Sequence, residues 1–170
     1  MFWLLVHLRV AYATEIGAAT AYRGHAGSTR DPDIAAHIRG IEQDERRHRA
    51  AVGAMLERFG ARPFYPLDVL YFCVGTVIGG GCYLWGAWAS AFGAAQFEFG
   101  GIGDYRRAAR AARVIGDEPL AQQLERFEAQ ERAHRVFFLD LARSTFLSPI
   151  LRPAPLALAK HQAPIDPGSP

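Results

Sequence analysis

The strongest constraint on the fold of this chain is an internal repeat of two paired segments. The stretch EIGAATAYR at 15–23 matches EFGGIGDYR at 98–106, and IRGIEQDERRHR at 38–49 matches LERFEAQERAHR at 124–135. Each half therefore contains one segment with a single Glu, followed by a second segment with Glu-x-x-His. Side chains three residues apart point the same way on a helix. The repeat predicts two equivalent pairs of helices, each carrying ionisable groups on one face.

These residue types in this order predict a metal site. Two iron ions in a dry helical core need negative charge around them, which four carboxylates supply, while two neutral imidazoles complete the coordination and leave positions for oxygen. One Glu from each of two helices and Glu-x-x-His from each of the other two is the arrangement of ferritin-like di-iron bundles. The candidate metal ligands are Glu15, Glu45, His48, Glu98, Glu131 and His134.

A different interpretation treats these residues as surface charge, because a lone Glu-x-x-His in an Arg-rich helix is usually solvated. Glu98 argues against it, since this carboxylate directly follows 29 residues without a charge and needs a partner. Glu42 and Glu128 lie one helical turn before the two motifs and are expected at the surface or outside the ligand set. The duplicated Tyr22 and Tyr105 either lie beside the metals in a catalytic role or are core aromatics, and both alternatives stay open.

Helical periodicity and breaker residues predict an all-α protein. Asp31 can cap a helix whose first turn holds Pro32, and Gly60 ends the same helix. The glycines at 79–81 are expected to interrupt the uncharged run, which leaves a short apolar, membrane-facing segment before the third helix. Strict alternation, the pattern typical of strands, is absent. Four helices are predicted, over residues 2–27, 33–58, 82–114 and, starting within the GDEP stretch, 116–144.

The connections between these helices are short, which favours one ferritin-like four-helix bundle over residues 1–148. Residues 149–170 contain six prolines and are expected to form a loosely ordered tail. The first ten residues, MFWLLVHLRV, lack the basic start of a signal peptide, so they are interpreted as the first turns of helix one.

The net charge limits the kinds of partner that this protein can bind, and the cysteine content indicates the redox state of its compartment. The formal net charge is +2, which implies no nucleic-acid partner. Cys73 and Cys82 lie in an apolar run without CxxC spacing, so both are expected to be reduced thiols in the core of a protein from a reducing compartment.

Several stretches together resemble a known family. LRVAYATE, AYRGH and IEQDERRHRAAVGAMLERFGARPFYPLDVLYFCVGTVIGG are similar to the demethoxyubiquinone hydroxylase family, of the Coq7 type. The shared features are the order Glu, Glu-x-x-His, Glu, Glu-x-x-His, the Arg-Pro after the second helix and the glycine-rich apolar run. The resemblance covers about residues 8–144. It implies a membrane-associated di-iron monooxygenase that adds a hydroxyl to a prenylated benzoquinone ring during ubiquinone biosynthesis.

The chain departs from that family in two places. The family has an Asp-His pair shortly before the first Glu, where this chain has Ala11 and Tyr12. The family also has a His about two turns after the third-helix Glu, where Asp104 and Tyr105 stand. All candidate ligands are retained, so oxygen chemistry is expected, while the substrate and the route of electron delivery stay open.

The combined expectation is an oxygen-dependent hydroxylase with two iron ions, a lipophilic quinone-like substrate and an external electron donor, since no nucleotide-binding glycine motif follows a strand. The uncharged run favours peripheral attachment at the cytoplasmic face of a membrane. A homo-oligomer or a biosynthetic complex is compatible with the sequence. Two other functions are compatible with it as well: a ferritin-like iron-binding protein with ferroxidase activity, and an interaction subunit with a vestigial di-iron site.

Overall fold

The computed structural model describes residues 1–147, and four helices account for nearly all of them. The described residues contain no strand, so the predicted all-α class is confirmed. The tail predicted at 149–170 lies outside the described residues. The helices are α1 (Phe2–Ser28), α2 (Pro32–Arg58), α3 (Tyr65–Val114) and α4 (Glu118–Leu147).

The boundaries of α2 follow from its end residues, as the sequence predicts. Asp31 Oδ1 accepts hydrogen bonds from the backbone N–H groups of Asp33 and Ile34, at 2.9 and 3.1 Å. Pro32 occupies the first turn, where its missing N–H would have no helical partner in any case. Gly60 follows the helix with φ of +65°, a left-handed conformation that commonly ends helices.

The break in α3 does not lie at the glycines 79–81, where the sequence predicts it. The helix continues through them, because Gly75 and Gly79 pack directly on the backbone of α1, and a Cβ on Gly75 would overlap the carbonyl of Gly17. These glycines permit close helix contact instead of ending the helix. The helical dihedrals fail at Gly86, with φ 79° and ψ 165°, a combination essentially restricted to glycine.

The direction of α3 reverses at this break. Before it, Tyr71 lies against Gly17 and Tyr83 lies against Gly27, so the first part of α3 runs parallel to α1. After it, Phe97 approaches Gly17 again, and the chain continues back along α1 in the opposite direction. The apolar segment expected before the third helix is therefore itself helical and packs against α1.

We call residues 65–85 the crossover arm and residues 87–114 the bundle arm of α3. The bundle arm is antiparallel to α1, since Tyr105 reaches back to Glu15. In chain order, the crossover arm connects α2 to the bundle arm and runs along the length of the bundle. Ferritin-like folds have one long connection of this kind. α1, α2, the bundle arm and α4 are the four helices of the bundle.

Two hydrophobic clusters fill the bundle, one on each side of a polar layer. The first contains Leu4 and Leu8, both fully buried, so one face of the first turns of α1 belongs to the core, while Phe2 and Trp3 are exposed. The second is built around Ile38, Ile41 and Phe138. The polar layer between the clusters consists of the candidate ligands.

The surface of α3 is unusually apolar. The helix is long and apolar enough to cross a membrane, although some core helices of soluble proteins meet the same criteria. Only 22% of its most apolar stretch is buried, so this helix is not an ordinary core helix. Such a surface allows membrane association. The most exposed large apolar residues on the two arms are Tyr65, Leu70, Val77, Tyr83, Leu84, Trp85, Phe99 and Val114.

The two cysteines are both free, but they differ in exposure. Cys82 is buried, as expected, whereas Cys73 is exposed. The prediction of a core thiol is therefore wrong for Cys73, because the uncharged run does not enter the core as a whole. The outer side of the crossover arm is apolar and faces away from the protein.

Candidate metal centre

The structure brings all six predicted ligands together in the polar layer of the bundle. Every one of them is buried, with a relative exposure of 7% or less. Each helix of the bundle contributes at the level where the two hydrophobic clusters meet. Glu15 lies on α1, Glu45 and His48 on α2, Glu98 on the bundle arm of α3, and Glu131 and His134 on α4.

The ligand atoms form two overlapping groups, and within each group they lie within 4.8 Å of one another. Glu45 and Glu131 belong to both groups. One group is completed by Glu15 and His48, and the other by Glu98 and His134. Two metal positions that share two carboxylates, each with one further Glu and one His, account for this arrangement.

The nitrogen that faces the carboxylates is Nδ1 in both histidines. His48 Nδ1 lies 3.0 Å from Glu131 Oε1 and 3.4 Å from Glu45 Oε2. His134 Nδ1 lies 3.1 Å from Glu45 Oε1 and 3.8 Å from Glu98 Oε2. Acidic and imidazole groups this close in a buried layer are typical of a metal site.

Several of these inward-facing atoms have no hydrogen-bond partner among the described residues, namely both oxygens of Glu45, Oε2 of Glu98, Oε1 of Glu131 and Nδ1 of both histidines. Buried polar atoms that lack hydrogen bonds are costly, and here the facing carboxylates and imidazoles compensate for the lost water only through their mutual charge. Two divalent cations, one in each ligand group, would satisfy them. The residues present therefore fit a pair of metal ions.

The pKa values show how the cluster balances charge in the absence of metal. Burial alone would raise the pKa of Glu45, but contacts with His134 and His48 lower it below its usual value. Burial likewise opposes charge on the histidines, yet the neighbouring carboxylates raise the pKa of His48 well above its usual value and that of His134 to about 10. Both imidazoles are therefore protonated at neutral pH without metal.

Glu15 and Glu98, the two unshared glutamates, each belong to only one ligand group, and their pKa values shift upward instead of downward. Burial, together with the charge of Glu45, raises the pKa of Glu15 well above its usual value. Burial and the charge of Glu131 do the same for Glu98. Metal binding therefore competes with protons at these groups, because the raised pKa values favour the protonated forms of both carboxyls and both imidazoles.

Comparison with protein families is consistent with this geometry. A family model described as ubiquinone biosynthesis protein COQ7 matches residues 4–99, which is more than half of the chain. The chain belongs to the COQ7 family. The resemblance found in the sequence is thereby confirmed, and family membership indicates a role in ubiquinone biosynthesis. Neither the curated proteins nor the solved structures yielded a match.

The matched range ends before the second Glu-x-x-His motif. It includes Glu15, the first motif and Glu98, but not Glu131 or His134. The structure nevertheless places these last two residues in the same layer as the others, with Glu131 in both ligand groups. The COQ7 match and the internal repeat therefore support the same site through different parts of the chain.

The two duplicated tyrosines contact the two unshared glutamates in a crossed arrangement. Tyr22 on α1 donates a hydrogen bond to Glu98 on the bundle arm, at 2.5 Å. Tyr105 on the bundle arm donates to Glu15 on α1. Of the two alternatives left open by the sequence, the structure favours a position beside the candidate ligands. Both side chains are also almost fully buried, so they contribute to the core as well.

Sequence reasoning missed the residues that face the outer nitrogen of each histidine. His48 Nε2 lies 3.0 Å from Gln130 Oε1, and His134 Nε2 lies 3.4 Å from Asp44 Oδ2. Both partners are oxygen acceptors in this contact, so each Nε2 carries a proton and Nδ1 is left to bind a metal. The repeat contained the signal, since Asp44 and Gln130 occupy the same position immediately before the Glu of each motif.

The two glutamates expected outside the ligand set do lie outside it. Glu42 pairs with Arg46 at 2.7 Å. Glu128 pairs with Arg106 at 3.0 Å and with Arg132 at 2.6 Å. Their partners are exposed, so these pairs lie at the protein surface, where ion pairs contribute little to stability.

Among the described residues, the histidines without a counterpart in the repeat are not in the ligand groups, and His161 lies outside the described residues. His25 is buried and stacks on Phe138, with ring centroids 5.7 Å apart. Burial lowers its pKa to about 4, so it is neutral at physiological pH. His37 packs on Phe137 at 4.1 Å. His7 is only partly buried. Because His7, His25 and His37 have no counterpart in the repeat, the sequence predicts that they are surface or core histidines, and their positions agree with that prediction.

Proposed function

We propose that this chain is an oxygen-dependent di-iron hydroxylase that acts on a prenylated benzoquinone ring in ubiquinone biosynthesis. The observation that carries the proposal is the pair of ligand groups sharing Glu45 and Glu131 in a buried layer. Two iron ions bound there would supply oxygen activation. Glu15 and His48 would hold one ion, Glu98 and His134 would hold the second, and the two shared glutamates would contribute to both.

The overall reaction requires more than the quinone and oxygen. One oxygen atom enters the ring C–H bond as a hydroxyl, and the other leaves as water, which takes up two electrons and two protons. The electrons come from an external donor. The protein's own contribution is to hold the ions, to exclude water from the ring, and to keep Tyr22 and Tyr105 on the unshared glutamates.

We also propose that the protein binds peripherally to the cytoplasmic face of a membrane. The crossover arm packs against α1 and leads directly into the bundle arm, which holds the buried Glu98. α3 therefore does not cross the bilayer, and its exposed apolar side chains would enter one leaflet instead. A free exposed thiol at Cys73 is compatible with a reducing compartment. This position would give the protein access to a substrate with an apolar tail.

The test is to express the chain in cells that lack their own demethoxyubiquinone hydroxylase and to follow the quinone pool by mass spectrometry. The hydroxylated product should appear with the wild type and disappear with Glu131→Ala and His134→Ala. Glu128→Ala is the matched control, because it removes a Glu of the same helix one turn away from the ligands. It should retain product formation.

Two results would decide for another function. In the first, the purified protein is given ferrous ion, quinone and a reductant. If it oxidises the ferrous ion but forms no hydroxylated quinone, the result favours an iron-handling protein. Product that persists in His134→Ala would show that the chemistry belongs to a different protein and would favour an interaction subunit. Iron should be measured alongside, with about two ions per chain expected in the wild type.

A further inference from the structure

A groove of about 500 Å³ lies between α1 and α2, beside the candidate metal centre. One of its lining residues is Glu15, which is buried and belongs to the first ligand group. The volume falls in the range of about 300–1,000 Å³ that is typical of small-molecule sites. The groove thus runs from the protein surface to Glu15, a residue of the first ligand group.

The walls of the groove combine an aromatic face with cationic donors. The guanidinium of Arg49 lies 3.7 Å from the centre of the Tyr12 ring. Arg49 also donates to the backbone carbonyl of Tyr12 at 2.5 Å and to Asp68 of the crossover arm at 3.0 Å. These contacts hold Tyr12 in place, one helical turn before Glu15. Ile16 and Ala50 add apolar lining, Arg46 adds a second guanidinium, and Glu57 adds a carboxylate at the α2 side.

This lining selects a class of ligand. Guanidinium groups donate hydrogen bonds and cannot accept them, so they favour a ligand with oxygen acceptors. The Tyr12 ring and the aliphatic residues favour a flat apolar body. The contact between Arg49 and Asp68 places the start of the crossover arm beside the groove, and Val69 and Leu70 follow as exposed apolar residues. An apolar tail attached to the ring would find a compatible surface there.

We propose that this groove binds the oxygen-bearing ring of the substrate, with the ring beside Glu15, the pair of Tyr12 and Arg49 as its wall, and Arg46, which contacts Glu42 through Nε and Nη2, as a hydrogen-bond donor to a ring oxygen through Nη1. This inference rests on the proposed hydroxylase function and deepens it. Tyr12 is one of the positions where the chain departs from the family pattern, so the groove wall is a feature of this chain.

The first experiment fills the groove. Ala50→Phe places a large ring at an exposed lining position of α2, and Ala36→Phe makes the same change at an exposed position of the same helix outside the groove. Binding of a water-soluble benzoquinone with a short apolar tail is measured by equilibrium dialysis against metal-free and iron-loaded protein. Ala50→Phe should weaken binding at least about tenfold, whereas Ala36→Phe should match the wild type. Iron content and helicity should be unchanged in both.

A second variant tests recognition of the ring oxygens. Arg46→Gln should weaken quinone binding by about tenfold, since one charge-assisted hydrogen bond is lost. Binding of an alkylbenzene of the same size, which has no oxygen, should not change. Equal weakening for both ligands would overturn the donor role of Arg46.

The outcomes separate this inference from the function on which it rests. If Ala50→Phe binds and hydroxylates the quinone as the wild type does, the ring lies elsewhere and the groove assignment is wrong, while the hydroxylase function stands. If the iron-loaded wild type neither binds nor converts any quinone, the proposed function fails and the groove assignment fails with it. If Ala50→Phe loses binding and Ala36→Phe keeps it, the ring occupies the groove.

Discussion

The hydrogen bonds from the two buried tyrosines should tune metal affinity by a predictable amount. Without metal, burial raises the pKa of Glu98 well above its usual value and so favours its neutral, protonated form. The hydrogen bond from Tyr22 then reaches a neutral carboxyl, and such bonds contribute about 0.5–1.5 kcal/mol. A metal ion would ionise Glu98, and a hydrogen bond to a charged group contributes about 1.5–3 kcal/mol.

The difference between the two states, about 1–1.5 kcal/mol, is the part that acts on metal binding. Tyr22→Phe should therefore weaken metal binding about five- to tenfold. The packing of the ring on Phe138, with centroids 5.0 Å apart, is retained in the variant. Tyr105→Phe should have a similar effect through Glu15. The metal-free variants should lose about 1 kcal/mol of folding free energy each.

The assay is anaerobic titration with ferrous ion in competition with a chelator, combined with urea unfolding of the metal-free protein. Tyr65→Phe is the control, because this residue is 75% exposed and distant in sequence from every ligand. Unchanged metal affinity in both buried variants would refute the argument that these bonds strengthen on metal binding. A loss of more than about a hundredfold would also contradict it, since one hydrogen bond cannot account for that loss.

Three further predictions follow from the site and the fold. Metal binding should release protons at pH 7, because the pKa of His134 is raised to about 10 and that of His48 is also raised. The metal affinity should therefore fall about tenfold per pH unit for each displaced proton as the pH decreases. Calorimetry in buffers of different ionisation enthalpy would measure the number of protons released. Asp44→Asn should lower metal affinity about 10- to 100-fold by weakening the partner of the outer nitrogen of His134, and a wild-type binding curve would contradict this. Gly75→Ala should destabilise the fold by more than about 1 kcal/mol through overlap with the α1 backbone, whereas Gly80→Ala, with open space around it, should be neutral or stabilising in the same urea titration.

The ligand set could be predicted from the sequence because it depends on local spacing. The Glu-x-x-His motifs place two ligands on one helix face through the helical repeat alone, and the duplication identifies Glu15 and Glu98 as the remaining members. The start of α2 is local in the same way, since Asp31 caps the helix through backbone groups two and three residues away. Such features need no knowledge of the tertiary fold.

The features that the sequence left open or mispredicted all depend on contacts between distant segments. The glycines at 79–81 resemble a helix break, but α1 supplies a surface on which close packing keeps the helix intact, and the reversal occurs at Gly86. Cys73 and Cys82 occur in the same apolar run, and only the packing of the crossover arm decides which one is exposed.

For this protein, the sequence by itself determined four helices, the residue types of the candidate metal centre and the twofold arrangement of its ligands. Tertiary structure alone decided that Tyr22 and Tyr105 cross over to the opposite glutamates, that Asp44 and Gln130 face the outer nitrogens, and that a groove reaches Glu15. The physical reason is the range of the forces involved. Helical periodicity and capping act within about one turn of the chain, whereas hydrogen bonds and cavities between helices depend on how those helices pack.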